Sequence, residues 1–243
     1  AGVAIKAMLQ DMGIEQGLEI TIKKGIKAGS GIGSSAASSA GAVAALNKLL
    51  KAGYSDVELV KFAMEGERLA SGTAHADNVA PALCGGFTLV RSYSPLDIIK
   101  LNTPSDLYAT VVHPQIEVKT SDARKVLRIS VPLKKAVMQW GNVGGLVAGL
   151  YREDYELIGR SLQDVIVEPI RSMLIPGFDQ VKAESLKAGA LGCSISGSGP
   201  SIFALSKGKE TAEKVKKAMG DVYKNFGIDY NIHLSKVNPN GAQ

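Results

Sequence analysis

The stretch Gly29-Ser30-Gly31-Ile32-Gly33-Ser34-Ser35-Ala36-Ala37 has the residue types needed to hold an anion against the backbone. Glycine lets a ligand approach the main chain closely and reaches positive φ without strain. A small-residue helix is expected from about Ser34 to Leu50. Its first N–H groups lack partners inside the helix, and its dipole is positive at that end. Loop and helix start together form an anion site suited to phosphates. Ser34 and Ser35 can cap the helix, and a serine hydroxyl can also reach a magnesium ion. A Walker A loop is excluded, because no Gly-Lys-Ser/Thr closes the stretch. A dinucleotide fingerprint, forced onto Gly31, Gly33 and Ala36, would need a following strand that ends in an acidic residue about 20 positions on. Ser55 and another helix come instead. Taken alone, the cluster also fits a tight turn that packs a helix.

Three further groups of residues could do chemistry. Glu67 lies one turn before the end of a helix that Ser55 and Glu58 open as a capping box and Ser71-Gly72 closes. Ser71-Gly72-Thr73-Ala74-His75-Ala76-Asp77-Asn78-Val79-Ala80-Pro81 follows. Each member also has a plain structural role: a solvated glutamate, an Asp-Asn helix cap, a hydrogen-bonded histidine. Arg124, after Thr120-Ser121-Asp122-Ala123, and Arg171, in Glu168-Pro169-Ile170-Arg171, could grip a carboxylate through paired N–H donors. Singly, an arginine is more often a surface residue. Cys193-Ser194-Ile195-Ser196-Gly197-Ser198-Gly199-Pro200-Ser201 is a strand entering a glycine-rich turn, which alone fits a β-hairpin.

Together these segments resemble the GHMP kinases. The glycine stretch is similar to the family's phosphate motif, Pro-x-x-x-Gly-Leu-Gly-Ser-Ser, with Lys27 in place of proline and Ile32 in place of leucine. The run from Gly66-Glu67 through Ser71-Gly72, His75 and Asp77-Asn78-Val79-Ala80-Pro81 resembles the homoserine kinase branch. Relatives such as mevalonate kinase carry an aspartate-centred version. The Gly-Ser-Gly-Pro turn resembles the third GHMP motif, and the likeness runs to the Asn238-Pro239-Asn240-Gly241-Ala242 tail.

The resemblance implies roles. ATP is held by Gly29, Ser30, Gly31, Ile32, Gly33, Ser34, Ser35 and Ala36, with Thr120 supporting the phosphate region. Mg²⁺ is held by Ser35 and Glu67. Asp77 and Asn78 contact the amino and hydroxyl groups of L-homoserine, Arg124 and Arg171 its carboxylate. Gly197, Ser198 and Gly199 lie against the phosphate loop and the substrate. The catalytic set is Asn78, Ser35, Glu67 and Arg124. Asp77 is given no general-base role, because the type of Asn78 stands where other GHMP kinases place a catalytic aspartate. The implied reaction moves the ATP γ-phosphoryl group to the homoserine hydroxyl, giving O-phosphohomoserine for threonine synthesis. Two alternatives stay open: a GHMP kinase acting on another alcohol, and a non-catalytic ligand sensor that need not keep magnesium ligands.

The elements that must position these residues come in mixed order, without regular strand–helix alternation, which favours α+β. By resemblance the fold is the two-domain GHMP fold with the nucleotide between its domains. Thr103-Pro104-Ser105 marks the boundary, giving domains 1–103 and 104–243. Helices are expected over residues 1–12, 34–50, 55–70, 76–83, 134–148, 155–163, 176–188 and 209–226. Strands are expected over residues 18–24, where apolar and polar residues alternate, and over 87–91, 98–101, 107–113, 192–196, 202–206 and 231–237.

The 243 residues are 45% hydrophobic and 21% charged, an ordinary globular balance. The net charge of +5 is scattered and aromatics make up only 5%, which argues against nucleic acid and suits a small anion. No apolar run reaches the roughly 18–20 residues of a membrane span. Cys84 and Cys193 form no metal or disulfide pattern, which suits a reducing cytoplasm. The chain opens at Ala1 inside an uncapped amphipathic helix, and it lacks the Pro-Ala-Thr/Ser-x-Ala-Asn-like strand with which the family begins. Further sequence is therefore expected upstream. Loss of that strand would leave its neighbour's edge open, so self-association, as a homodimer, stays among the expected states.

Overall fold

The computed structural model describes residues 1–72, 74–116, 118, 123 and 126–242. The chain divides into two units. The first comprises Ala1–Ala28, Gly33–Asn102 and Asn238–Gln243, the second Gly29–Ile32 and Thr103–Val237.

In the first unit, α1 (Gly2–Asp11), α2 (Ser34–Leu50) and α3 (Asp56–Ser71) pack on one another. Ala36, Ala40, Val43 and Leu46 recur at helical spacing on α2 and are buried against Ala4 and Met8 of α1 and Val60 and Ala63 of α3. Small residues set the approach: a β-carbon at Gly66 of α3 would overlap the Ser39 hydroxyl of α2. The capping box is present at α3, where Glu58 N–H donates to Ser55 Oγ at 3.4 Å and Ser55 N–H to Glu58 Oε2 at 2.8 Å. Gly72, at φ +77°, closes that helix. A short helix, α4 (Val79–Cys84), leads into the hairpin of β1 (Phe87–Tyr93) and β2 (Leu96–Leu101).

One expected strand is absent. Residues 18–24 pair with nothing among the described residues, and Ile20 and Ile22 stand 39% and 47% exposed. Their alternation supplies the side-chain period of a strand, but a strand also needs a neighbour's N–H and C=O groups. The segment instead lines a groove with Ala37, Gly41 and Ala45 of α2.

The second unit is built on a four-stranded antiparallel sheet, ordered β4 (Gly192–Ile195), β5 (Ile202–Lys207), β3 (Leu107–Pro114) and β6 (Tyr230–Lys236). Between β3 and β4 the chain forms α5 (Leu133–Arg152), α6 (Tyr155–Ser161), α7 (Glu168–Arg171) and α8 (Phe178–Lys187); α9 (Lys209–Phe226) joins β5 to β6. Ala212, Val215, Met219 and Tyr223 form the buried stripe of α9. Val215, Met219 and Tyr223 pack with Phe178 and Val181 of α8 and Val112, Ile202 and Ala204 of the sheet. Both cysteines are free and buried, and burial pushes the Cys193 thiol up to about 12. Among the described residues no helix is long and apolar enough to cross a membrane.

The C-terminal tail packs with the first unit. Gly86 N–H donates to the Asn238 carbonyl at 2.7 Å and Ala242 N–H to the Ala82 carbonyl at 2.9 Å. Gly241 lies so close to the end of α4 that a β-carbon there would fall inside the Leu83 carbonyl. Gly241→Ala should therefore detach the tail rather than strain it locally. Hydrogen exchange at the Gly86 and Ala242 amides should accelerate together, with about 1–3 kcal/mol of stability lost. Unchanged protection at both amides would show that the tail adds nothing.

Candidate active site

The glycine loop meets the turn between β4 and β5 inside the second unit. That turn is closed by Ser196 N–H donating to the Ser201 carbonyl at 2.8 Å and by Gly199 N–H donating to the Ser196 carbonyl at 2.9 Å. Both glycines of Gly197-Ser198-Gly199 have positive φ, +59° and +83°. The loop backbone lies directly on this turn: a β-carbon at Gly31 would stand 2.6 Å from the Gly199 oxygen and 2.8 Å from the Ser196 oxygen. Two hydroxyls hold the approach. Ser196 Oγ donates to the Gly31 carbonyl at 2.8 Å, and Ser201 Oγ to the Ser30 carbonyl at 2.5 Å. Ser30 and Ser201 are fully buried. Behind them His113 Nδ1 lies 3.2 Å from Ser201 Oγ.

Along the loop φ alternates in sign, positive at Gly29, Gly31 and Gly33 and not at Ser30 or Ile32. Such alternation turns successive N–H groups to one side, as in anion-binding nests. One of these groups, Ile32 N–H, makes a long contact of 3.4 Å to Ser30 Oγ.

In the first unit, Gly33 (φ +75°) is the N-cap of α2, and no side chain caps the helix. Ser34 and Ser35 do not play the capping part expected of them. Both lie within the first turn, and Ser34 Oγ donates backward to the Ile26 carbonyl at 2.9 Å. The first intrahelical bond runs from Ala37 N–H to the Gly33 carbonyl at 2.9 Å. The N–H groups of Ser34, Ser35 and Ala36 thus have no helical acceptor. Gly33 is also where Asn78 comes close: a β-carbon on Gly33 would stand 3.4 Å from Asn78 Oδ1.

Asn78 stands there because α4 begins at Val79, three residues later than its expected start. Val79 and Ala80 are buried, and the polar pair Asp77-Asn78 is left as an exposed turn ahead of the helix. Ala76 N–H, donating to the Tyr93 hydroxyl at 3.3 Å, holds the incoming strand of chain. Glu67 is 9% exposed and adjoins Gly66, the contact of α3 with Ser39. Ser35 is one turn before Ser39 on the same helix face.

Arg171 belongs to the second unit. Its Nε donates to the Ala123 carbonyl at 2.9 Å and its Nη1 to the Gly197 carbonyl at 3.3 Å. Thr120 and Arg124 lie outside the described residues. The first unit therefore brings together Gly33, the start of α2 and Asn78. The second brings together Gly31, the Ser196–Ser201 turn and Arg171. Sequence reasoning missed Ser196, Ser201, His113 and the Ala123 carbonyl, which act on the loop and on Arg171 through contacts far apart in the chain.

Comparison with known proteins accounts for this arrangement. Residues 1–86 match the GHMP kinases N terminal domain and residues 146–225 the GHMP kinases C terminal domain. A homoserine kinase from Methanococcus maripaludis is 44% identical over 240 residues, which are 98% of this chain and 77% of the relative. The crystal structure of homoserine kinase from Cytophaga hutchinsonii superposes with a TM-score of 0.95 at 57% identity, covering 98% of this chain and 76% of that one. The chain belongs to the homoserine kinase family of the GHMP kinases. A homoserine kinase from Chlorobium phaeobacteroides (strain DSM 266) is 59% identical over 75% of this chain, and the match spans 57% of that relative's length. A mevalonate kinase structure shares the fold, with a TM-score of 0.71 at 18% identity.

Family membership makes the glycine loop the natural place for a test of geometry. Gly29 and Gly31 have nearly the same φ, +76° and +79°, but a β-carbon at Gly29 meets nothing within 4 Å. An alanine at either site costs about 1–2 kcal/mol for its left-handed backbone. Gly31→Ala must in addition push Gly199 away. In urea unfolding it should lose at least about 1 kcal/mol more than Gly29→Ala. Equal losses would mean that the loop does not rest on the turn.

Proposed function

We propose that this protein is an ATP-dependent kinase that transfers the γ-phosphoryl group of ATP to the hydroxyl of L-homoserine, giving O-phospho-L-homoserine for threonine synthesis. The observation that carries the reading is the start of α2, where a helix without a side-chain cap has the amide of Asn78 beside Gly33. An amide there can hydrogen-bond an acceptor hydroxyl next to bound phosphates without adding negative charge.

In this reading the N–H groups from Gly29 to Ala36 bind the nucleotide phosphates. Asp77 takes the ammonium group of homoserine and Asn78 its hydroxyl. Arg171, with Arg124, takes the carboxylate, and Thr120 supports the phosphate region. The backbone of Gly197, Ser198 and Gly199 backs the loop. Ser35 and Glu67 offer a hydroxyl and a nearly buried carboxylate, hard oxygen donors that fit Mg²⁺. Bound there, the ion would neutralise phosphate charge. The acceptor oxygen bonds to the γ-phosphorus as the bond to the ADP oxygen breaks, and the hydroxyl proton passes to solvent. Positioning and charge neutralisation supply the rate, and no side chain is assigned as a general base.

A coupled ADP-release assay with homoserine, mevalonate, galactose and shikimate tests the acceptor. Homoserine should turn over fastest; faster turnover of another alcohol would overturn the substrate. Glu67→Gln keeps the side chain's shape and removes its charge. It should lower kcat at least about tenfold and raise the Mg²⁺ concentration needed for half-maximal rate. Its melting temperature should stay within a few degrees of the parent protein's. A large fall in melting temperature with kcat preserved would make Glu67 a packing residue.

A further inference from the structure

The helix that carries Arg171 is too short to hold itself. Its four residues make one turn, which runs on only into a single 3-10 turn over Ser172–Leu174, and so short a helix is unfavourable without outside support. Support at its N-terminal end comes from Asp164, which accepts from Ile166 N–H at 2.9 Å and Val167 N–H at 2.8 Å through Oδ1, and from Glu168 N–H at 3.2 Å through Oδ2. Support at its flank comes from the Glu168 side chain. One carboxylate oxygen pairs with Lys182 of α8, and the other accepts from Ser194 Oγ of β4 at 2.6 Å. Glu168 is 12% exposed and Lys182 25%.

Removing a carboxylate and an ammonium this far from water costs several kcal/mol, and their attraction seldom leaves a surplus over an apolar pair. What a hydrogen-bonded ion pair supplies that an apolar contact does not is direction. Here the direction bears on Arg171. Glu168 and Arg171 are three residues apart and lie on one side of the turn. Glu168 holds Ser194, and Arg171 reaches the Gly197 carbonyl three residues further along the same chain. The turn is thus fastened to β4 and its loop at two points, and rotating it about its axis would break both.

We propose that Glu168 is the positioning residue for Arg171. Through Ser194 and Lys182 it fixes the turn from which the guanidinium reaches the acceptor's carboxylate. The proposal rests on the reading of Arg171 as a carboxylate-binding residue. Two guanidinium N–H donors already go to the carbonyls of Ala123 and Gly197. With the Glu168 anchor gone, the turn keeps Asp164 at its N-terminal end but loses its flank support, so the arginine contacts carry more of its position and the pose offered to a ligand loosens. The loss should appear in acceptor binding and not in nucleotide binding.

Steady-state kinetics of the purified enzyme test this. Glu168→Gln should raise KM for homoserine about tenfold, a usual coupling within one hydrogen-bond network. KM for ATP should stay within about twofold and kcat within about threefold. Ser194→Ala, which leaves the ion pair in place, should raise the same KM about threefold, and Arg171→Lys should exceed both. Val215→Ala, a cavity in the α9 core, serves as the stability control. It should lower the melting temperature without moving either KM. Should Glu168→Gln fail to fold, Ser194→Ala decides alone. The inference is overturned if the Glu168 or Ser194 variant raises KM for ATP as much as KM for homoserine. It is equally overturned if the variant behaves like Val215→Ala. Faster turnover of a different acceptor by the unsubstituted enzyme would overturn the proposed substrate instead, and the split between acceptor and ATP would then be read on that acceptor.

Discussion

At Gly31 two stretches of backbone approach so closely that no β-carbon fits between them. The glycine loop has no regular structure of its own, and its position comes from this contact. Ser196 and Ser201 reach across it to the carbonyls of Gly31 and Ser30, and His113 holds Ser201 from behind. Each such bond contributes about 1 kcal/mol, but breaking one would strand a buried polar group at a higher cost. The loop's carbonyls are therefore directed into the sheet of the second unit. Alternating φ is the backbone pattern that turns successive N–H groups to a common side. A backbone anion site needs both conditions, since a loop free to rotate would satisfy its own donors.

Arg171 depends on the same turn. The β4–β5 connection takes Gly31 on one side and the guanidinium of Arg171 at Gly197, and its strand receives Glu168 at Ser194. Elements contributed by residues 29–32, 164–171 and 192–201 are thereby fixed to one another within the second unit. A shift in the turn would be felt at both the loop and the arginine. Unlike the exposed helix-surface pairs on α9, which are separable and weak, these contacts are shared and partly buried.

Much of this was legible in the sequence, where the signal is local. The Ser55–Glu58 capping box, the glycine stop at Gly72 and the stripe of α9 depend on neighbours three or four residues away, and each appears as expected. Residues 18–24 show the limit of such reasoning, because alternation predicts a strand but cannot supply its partner. Asp77 and Asn78 read as site residues, yet their exposure follows from burial of Val79 and Ala80, which moves the start of α4. Gly29–Ile32 packing with the second unit and the tail packing with the first are contacts between distant parts of the chain. So are Ser201 to Ser30 and Glu168 to Ser194. Spacing carries no trace of them. Single serines and a lone glutamate are too common for their types to mark a site.

Helix starts differ in how they are completed: α1, α4 and α5, like α2, have neither a side-chain cap nor an acidic residue in the first turn, whereas others have one or both. α3, α6, α8 and α9 each carry an acidic residue in the first turn, and at α3 and α6 the Ser55 and Asp154 side chains accept from the backbone. Their N-terminal charge is answered from within the protein. α2 is longer than α3, α6 or α8, so its aligned dipoles are no weaker. Yet its first turn holds no acid, its N-cap is a glycine, and the polar groups there include Ser34, Ser35 and the neutral amide of Asn78. An aspartate at Ser34 or Ser35 would stabilise the empty helix by about 0.3–1 kcal/mol. It would also set a negative charge within a few ångströms of any phosphate, with the repulsion strengthened by the low dielectric of a partly buried site. Stability of the free protein and affinity for an anion thus pull this position in opposite directions. The acid-free first turn of α2 is what the proposed anion site requires.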